Sequence, residues 1–238
     1  MGYTRRERRF FPAPGLTMAE FDEERNQLQI KLVYYGPALS GKTTNLAALH
    51  DLLQPDLKGD MMVLETQNDR TLFFDLFPLG FQLPSGLTVT LKLYTVPGQV
   101  QHDSTRKAVL SRADGVAFVA DSQRNQEQNN LESFRNLSEN ASRVGLDFGA
   151  LPLAVQFNKR DLGDVVSKPD LVARWQSSPW WPIKLATALE NKGVLETFQL
   201  LLERTWGALD RDYALGEQHG LDRVTFVQNV LGQSDAVC

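Results

Sequence analysis

The segment GPALSGKT, residues 36–43, constrains the fold more than any other part of the sequence. Four residues separate its two glycines, and a Lys-Thr pair follows the second one. The apolar run LQIKLVYY (28–35) precedes the segment, and a helix-like run (43–53) comes after it. A loop between a strand and a helix N-terminus can turn successive backbone N–H groups toward one phosphate. The pattern predicts the phosphate-binding loop of a P-loop NTPase. The alternative is an accidental glycine-rich turn, which the flanking strand and helix disfavour.

The residue types within this loop indicate how a nucleotide is held. Lys42 is expected to neutralise the β- and γ-phosphate oxygens, and the Thr43 hydroxyl is expected to bind Mg²⁺. The glycines allow the backbone to follow the tight path that these contacts require. The predicted nucleotide-binding residues of the loop are Gly36, Leu39, Ser40, Gly41, Lys42, Thr43 and Thr44.

A second segment, Asn158-Lys159-Arg160-Asp161, indicates which base is bound. It follows the apolar run LPLAVQF (151–157), at the carboxyl end of a predicted central strand. An ionised carboxylate only accepts hydrogen bonds, so Asp161 suits the N1–H and 2-amino donors of guanine, which adenine lacks. The aliphatic stem of Lys159 is suited to cover the base. Alone, the tetrapeptide is typical of a solvated loop; beside the phosphate loop, it predicts a guanine-nucleotide site.

A weaker signal follows the last predicted strand, at Ala186-Thr187-Ala188. Backbone N–H groups of this segment, those of Thr187 and Ala188, are expected to meet the carbonyl of guanine. A nucleotide or metabolite kinase would share the phosphate loop. Such an enzyme does not call for the segment 158–161, however, and the sequence has no arginine-rich lid late in the chain.

Strands and helices alternate along the chain, which is typical of a doubly wound α/β sheet. Continuous apolar runs at 115–121 and 151–158 predict central strands that are covered on both faces. A short PSG turn leads into an alternating strand at 87–96, which predicts an antiparallel edge hairpin with a strand at 71–77. We therefore expect a mostly parallel, six-stranded sheet with one antiparallel edge hairpin. The further predicted elements are strands at 28–35 and 181–187, an extended candidate at 61–65, and helices at 43–53, 129–145, 193–206 and 221–232.

The ends of the chain differ from its middle. Residues 1–25 are rich in Arg, Pro and Glu without sustained periodicity, which predicts a mobile N-terminal extension. Residues 26–207 are assigned to one α/β domain that contains the predicted guanine-nucleotide site, and 208–238 to a C-terminal extension with one helix. The apolar residues Leu221, Val224, Val227 and Leu231 are predicted to form one stripe that docks this helix on the domain.

The composition excludes several classes of protein. The net charge of −4 gives no reason to expect binding to nucleic acid or to an anionic membrane. The single cysteine, Cys238, cannot form an internal disulfide, which suits a reducing cytoplasm. No window approaches the roughly 18 apolar residues of a membrane-spanning helix. The sequence therefore predicts a cytoplasmic protein without stable membrane insertion.

These motifs, in this order, resemble the MglA-like bacterial small Ras-like GTPases of gliding motility and cell polarity. The resemblance covers residues 28–205 and rests on the segments GPALSGKTTNL, NDRTLFFDLFPL, LYTVPGQV, GVAFVADSQ and NKRD. It implies a Ras-like three-layer fold and a GTP-hydrolysing switch with Mg²⁺ as cofactor. It also implies that a homodimer of an MglB-like roadblock-domain protein acts as the GAP partner, and that the switch works with effectors at cell poles or motility complexes.

The segment LYTVPGQV departs from most Ras-like proteins, which have Asp where this chain has Thr95. The resemblance marks Thr95 as a feature of the MglA-like subfamily, whereas a metal-poor, degenerate site is the alternative. The N–H of Gly98 is expected to meet the γ-phosphate. Gln99 is expected to orient the attacking water, and an ordinary surface glutamine is the alternative.

The segment before the predicted hairpin carries the other catalytic candidate. The resemblance implies that Arg70 is an intrinsic arginine finger, a group that contributes roughly 10³–10⁵ in rate. Thr71 is expected to supply the second Mg²⁺ hydroxyl, with Thr66 as its rival. Both faces of the strand 72–77 are mostly apolar, so its register is weakly specified. We expect this strand to slide between nucleotide states and to carry Arg70 in or out of the site.

Two further interpretations stay open at this point. His102 and Arg106 follow Gln99 in a segment where partners can bind, and a solvated loop is the favoured interpretation for both. A GTP-binding scaffold with little or no hydrolysis is the alternative to a GTP-hydrolysing switch, because Thr95 and the extended ends are unusual.

Overall fold

The computed structural model describes residues 19–65, 73–98 and 103–232. These residues form one sheet with helices on both of its faces. The strands β1 to β8 are, in order, Glu20–Asp22, Gln27–Tyr35, Met62–Glu65, Phe73–Gln82, Thr88–Thr95, Gly115–Asp121, Leu153–Asn158 and Lys184–Leu185. The helices α1 to α7 are Lys42–Leu52, Asp103–Leu110, Glu127–Arg143, Lys168–Trp175, Val194–Tyr213, Leu215–His219 and Arg223–Leu231.

The sheet has the order β3-β4-β5-β2-β6-β7-β8, and β1 pairs with β2 beside this path. Strands β5, β2, β6, β7 and β8 are mutually parallel, whereas β3, β4 and β5 pair as antiparallel neighbours. The predicted mostly parallel sheet with an antiparallel edge hairpin is confirmed. Within the described residues the sheet holds eight strands, whereas six were predicted.

One of the additional strands lies in the segment that the sequence assigned to the N-terminal extension. Residues 20–22 form β1, which pairs antiparallel with residues 27–29 of β2. The hydroxyl of Tyr213 also donates a hydrogen bond to the carbonyl oxygen of Ala19. The prediction of a mobile extension up to residue 25 is therefore wrong for residues 19–25, because backbone pairing at the sheet and a side-chain contact from α5 hold them.

The edge hairpin is longer than its sequence indicated. Strand β4 runs to Gln82 instead of ending at residue 77, and Leu83 and Leu87 close the turn through a 2.9 Å N–H to O=C bond. Pro78 does not end the strand, because β4 pairs with β5 through that point and Pro78 accepts from the N–H of Gly59 at 3.1 Å. Residues 71 and 72 of the predicted strand lie outside the described residues.

Two apolar layers enclose the sheet. On one face, even-numbered residues of β2 and odd-numbered residues of β5 pack under α1, α5, α6 and α7. On the other face, odd-numbered residues of β2 pack under α2, α3 and α4. The alternation predicted for the strand 87–96 is confirmed, since Leu87, Val89, Leu91 and Leu93 are all fully buried.

The C-terminal segment packs on the same face as α1 and α5. Helix α5 continues to Tyr213, and α7 occupies most of the helix predicted at 221–232. The predicted stripe is partly wrong: Val224 is 58% exposed, while Phe226 and Val230 are buried. The reason is that α7 begins at Arg223, after the N-cap Asp222, which turns Phe226 toward the core. The ring of Phe226 lies 6.4 Å from that of Phe81 on β4.

Two smaller observations complete the fold. The strand predicted at 181–187 contracts to Lys184–Leu185, since Pro182 has no N–H for a strand ladder. Across the described ranges, every helix is too short or too polar to span a membrane.

Candidate nucleotide-binding site

The phosphate loop connects β2 to α1 at the carboxyl edge of the sheet. Gly36 follows β2 directly, and α1 begins at Lys42, so the loop lies at a helix N-terminus as predicted. The buried Lys42 ammonium turns back across the loop and donates to the carbonyl oxygens of Gly36 at 3.1 Å and Pro37 at 2.7 Å. This places a cation inside the loop, where the oxygens of a bound phosphate would need it.

Gly41 is the position where the phosphate loop meets the segment 158–161, which is predicted to bind the base. Its φ of 95° is left-handed, and a Cβ here would lie 2.3 Å from Nδ2 of Asn158. A side chain would therefore be strained and would also displace Asn158. The requirement for glycine is thus set by a strand that lies more than a hundred residues further along the chain.

Asn158 joins three parts of the site. Its Nδ2 donates to the carbonyl oxygen of Ser40 in the phosphate loop at 2.9 Å. Its Oδ1 accepts from the N–H of Ala188 at 3.0 Å. The side chain is almost fully buried, so both bonds are shielded from water. The last residue of β7 therefore holds the phosphate loop and the segment 186–188 at a fixed separation.

Lys159 is oriented by a residue that the sequence did not single out. Its backbone is left-handed, with φ 65°, which is uncommon for a non-glycine residue. Its Nζ donates to Oδ2 of Asp121 at 2.7 Å, and Asp121 is only 4% exposed. Asp121 is the strand neighbour of Asn158. The sequence signal that could have identified Asp121 is its position as an acidic residue at the end of the apolar run 115–121.

Asp161 lies three residues after the buried Asn158 and is exposed. The turn that carries it is closed by a 3.3 Å bond from the N–H of Leu162 to the carbonyl oxygen of Lys159. The N–H of Arg160 donates to the carbonyl oxygen of Ala186 at 3.1 Å, so the segments 158–161 and 186–188 run side by side. An exposed carboxylate at the rim of a buried cradle is accessible to the donors of a base.

The N–H groups of the segment 186–188 are bonded within the protein. That of Ala186 donates to Phe157 O, that of Thr187 to Lys192 O at 3.0 Å, and that of Ala188 to the Asn158 side chain. The presentation of the Thr187 and Ala188 N–H groups to a guanine carbonyl stays a prediction, since in the structure these groups bond within the protein. In the structure the segment supports Asn158 and Arg160. The backbone N–H groups of Ala186 and Ala188 pair with residues that are distant in the chain, and the sequence alone does not reveal such pairing.

The strand β5 delivers Gly98 to the phosphate loop. A Cβ on Gly98 would lie 2.3 Å from Cα and 2.5 Å from N of Ala38. The backbone of Gly98 thus lies against the phosphate loop, and its contact with the terminal phosphate stays a prediction. Thr95, the last residue of β5, is buried.

Several of the predicted site residues fall outside the described ranges. The predicted catalytic residues Gln99 and Arg70, the predicted metal ligand Thr71, and the alternatives Thr66 and His102 lie outside the described residues. Their roles stay predictions. Arg106 is described, and the prediction of a solvated loop is wrong for it: it is fully buried on α2, with Nη2 3.1 Å from Oγ of Ser133.

The remaining loop residues show whether a phosphate and Mg²⁺ fit. Leu39 is left-handed and 88% exposed, Thr43 is exposed on the first turn of α1, and Thr44 is half-buried. Among the described residues, the Ser40 hydroxyl is buried without a hydrogen-bond partner. In the same ranges, His, Cys, Asp and Glu form no cluster of three that would hold a metal. The Thr43 hydroxyl is an oxygen donor of the kind that Mg²⁺ binds, and its role as a metal ligand stays a prediction.

Comparison with known proteins identifies the family. No protein-family profile matches the sequence. The chain is 42% identical over 154 residues to the mutual gliding-motility protein MglA of Myxococcus xanthus (strain DK1622), a match that covers 65% of this chain and 79% of that protein. With its P-loop site on a mostly parallel sheet, the chain therefore belongs to the MglA family of small Ras-like GTPases.

Proposed function

We propose that the chain binds GTP and GDP with Mg²⁺ and hydrolyses GTP to GDP and phosphate, as a molecular switch. The observation that carries this proposal is the Asn158 joint. Its one buried side chain bonds both to the phosphate loop, at Ser40 O, and to the segment 186–188, at Ala188 N. These two bonds support the proposal that phosphate and base are recognised at one site, and the exposed Asp161 at its rim suits guanine.

In this proposal, the residues of the chain act chiefly by position and charge. Lys42 turns from the carbonyl oxygens of Gly36 and Pro37 to the β- and γ-phosphate oxygens. Bound Mg²⁺, held by the hydroxyls of Thr43 and Thr71, would supply charge neutralisation at the phosphates. Gln99 orients the attacking water, and Arg70 stabilises charge on the transferred phosphoryl group.

The proposed switching motion is a shift of β4 that carries Arg70. The described part of the strand limits the size of such a shift. Phe77 and Leu79 are buried against the α1 and α5 face, while the alternate residues Pro78 and Gly80 are half-buried. A one-residue shift would turn every side chain to the other face, so we expect a shift by an even number of residues. Structures with GDP and with a GTP analogue that share one β4 register would contradict it.

The proposal extends to partners and location. Hydrolysis is slow until a homodimer of an MglB-like roadblock-domain protein acts as GAP, and the GTP form binds polarity or motility effectors. The chain acts in the cytoplasm and is recruited to cell poles or motility complexes. The name of the relative from Myxococcus xanthus, which refers to gliding motility, supports a role in motility.

Two measurements test the function. Fluorescent GDP should bind and be competed by GTP but not by ATP; competition by ATP would contradict guanine recognition. Single-turnover hydrolysis, with and without a roadblock partner, then separates the switch from a GTP-binding scaffold. We expect slow release of phosphate alone and faster release with the partner, and an Arg70→Ala variant that is slower in both. Binding without release in either condition would favour the scaffold.

A further inference from the structure

Gln156 lies on β7, two residues before Asn158, and is the centre of a second buried, hydrogen-bonded joint. It is fully buried, and its side chain contacts Asn45 on α1 and Thr197 on α5. Its Nε2 donates to Oδ1 of Asn45 at 2.9 Å and to Oγ1 of Thr197 at 2.8 Å. One amide therefore connects the helix that follows the phosphate loop with the helix that follows the segment 186–188.

Each end of this joint continues toward the nucleotide site. On the phosphate side, Nδ2 of Asn45 donates to the carbonyl oxygen of Gly41 at 2.9 Å. On the other side, the Thr197 hydroxyl donates to the carbonyl oxygen of Gly193 at 2.6 Å, at the start of α5. Gly193 ends the loop in which Ala186 and Ala188 bond to residues 158–161, the base-reading segment.

The polar side chains of this joint make the protein less stable than apolar side chains of the same shape would. In the part of the chain that the structure describes, Oε1 of Gln156 is buried without a hydrogen-bond partner. The apolar core layer on this face of the sheet includes Ala154, Leu46, Val194 and Phe198, all fully buried. A buried polar group with an unused acceptor is less stable than apolar packing of the same shape. Such local violations are expected where function requires them.

We propose that Gln156 is a positioning residue, which couples the geometry of the phosphate loop to that of the base-reading segment. This inference rests on the proposed guanine-nucleotide function. Through Asn45 it fixes Gly41 O, and through Thr197 it fixes the start of α5 and, with it, the loop beside Asn158–Asp161. The two halves of the nucleotide are then bound cooperatively because one buried amide sets the distance between them.

The two arms of the joint predict different defects. Dissociation constants are measured for GDP, for GMP, which lacks the β-phosphate, and for IDP, which lacks the 2-amino group that Asp161 is proposed to bind. Asn45→Leu should lower the GDP preference over GMP about tenfold, the effect of one lost hydrogen bond, and spare the preference over IDP. Thr197→Val should do the reverse. Gln156→Met should lower both preferences.

Two further variants separate positioning from stability. Leu202→Val, on the same apolar layer, shortens a fully buried α5 side chain outside the joint; it should destabilise the protein and leave both preferences at the wild-type values. The all-apolar triple variant Asn45→Leu/Gln156→Met/Thr197→Val should unfold at the same or a higher urea concentration than wild type, yet lose both preferences.

Unchanged preferences in Gln156→Met, with a loss of stability like that of Leu202→Val, would show a merely structural role and overturn the inference. A wild-type protein that binds GDP no better than ADP would instead contradict the proposed function, and the inference with it.

Discussion

The guanidinium carbon of Arg106 lies 4.5 Å from the centre of the Tyr35 ring. Tyr35 ends β2, directly before the phosphate loop, and Arg106 is fully buried on α2. Burial lowers the pKa of the Arg106 guanidinium and raises the pKa of the Tyr35 phenol. Within the described residues, Nε and Nη1 of Arg106 have no hydrogen-bond partner. The helix after the predicted catalytic Gln99 is thus held to the strand that enters the phosphate loop by an incompletely bonded cation.

Arg106→Met should leave the free energy of unfolding within about 1 kcal/mol of wild type, because apolar packing of similar volume replaces a buried charge whose donors are only partly bonded. Arg106→Ala should lower it by about 3 kcal/mol, since it leaves a cavity beside Tyr35. Urea unfolding monitored by circular dichroism measures both. A Met variant as unstable as the Ala variant would mean that the charge itself holds α2.

Asp161→Asn should weaken GDP binding by about 100-fold, since an amide presents one acceptor and one donor where guanine needs two acceptors. The same variant should gain affinity for xanthosine diphosphate, whose 2-carbonyl accepts the new donor. Equilibrium titration with fluorescent nucleotides measures both. The matched control is Asp164→Asn, a nearby aspartate that is 81% exposed and contacts Arg124; equal effects at the two positions would count against base recognition by Asp161.

Gly98→Ala should lower the free energy of unfolding by about 2 kcal/mol, the usual cost of overpacking. The added methyl group meets the backbone of Ala38, which cannot rotate away as a side chain would. Hydrogen exchange at residues 36–41 should accelerate as the loop is displaced. Gly207→Ala is the control, because a Cβ there meets nothing within 4 Å inside α5; this change should stabilise by about 0.5–1 kcal/mol. Wild-type exchange in Gly98→Ala would show that the loop accommodates the methyl group.

Asp222→Ala should lower the free energy of unfolding by about 1 kcal/mol at pH 7, because Asp222 caps α7. Hydrogen bonds from the backbone N–H of Thr225, at 2.9 Å, and from its hydroxyl, at 3.0 Å, lower the pKa of the Asp222 carboxyl. A lowered folded-state pKa stabilises above the unfolded value of about 3.9 and loses that effect as the pH falls through the folded value.

The difference in stability between wild type and Asp222→Ala should therefore shrink between about pH 5 and pH 2. Urea unfolding at several pH values measures it. Asp60→Ala, at an exposed position before β3, serves as the control for the loss of one carboxylate outside a helix cap. A difference that persists unchanged at pH 2 would contradict a role for the ionised carboxylate.

Much of the fold was predictable because it depends on short-range patterns. The loop 36–43, the alternation of Leu87 to Leu93 and the apolar run 115–121 each report local geometry within a few residues. The helix α2 and the strand β1 were missed, since each is short and carries few apolar residues. The full extent of β4 was also missed, because Pro78 reads as a strand end unless its pairing partner is known.

By itself, the sequence determined the kind of site: a turn that suits phosphate, a carboxylate that suits guanine, and an alternating α/β chain that brings strand ends together. Only the tertiary structure decided how these parts are held. The bonds of Asn158 to Ser40, Lys159 to Asp121 and Gln156 to Asn45 and Thr197 all join residues that are distant in the chain. Such partners depend on which strands become neighbours, and a local pattern carries no information about that. The burial of Arg106 has the same origin, because a polar residue in a short helix is buried only when the helix packs on a particular strand.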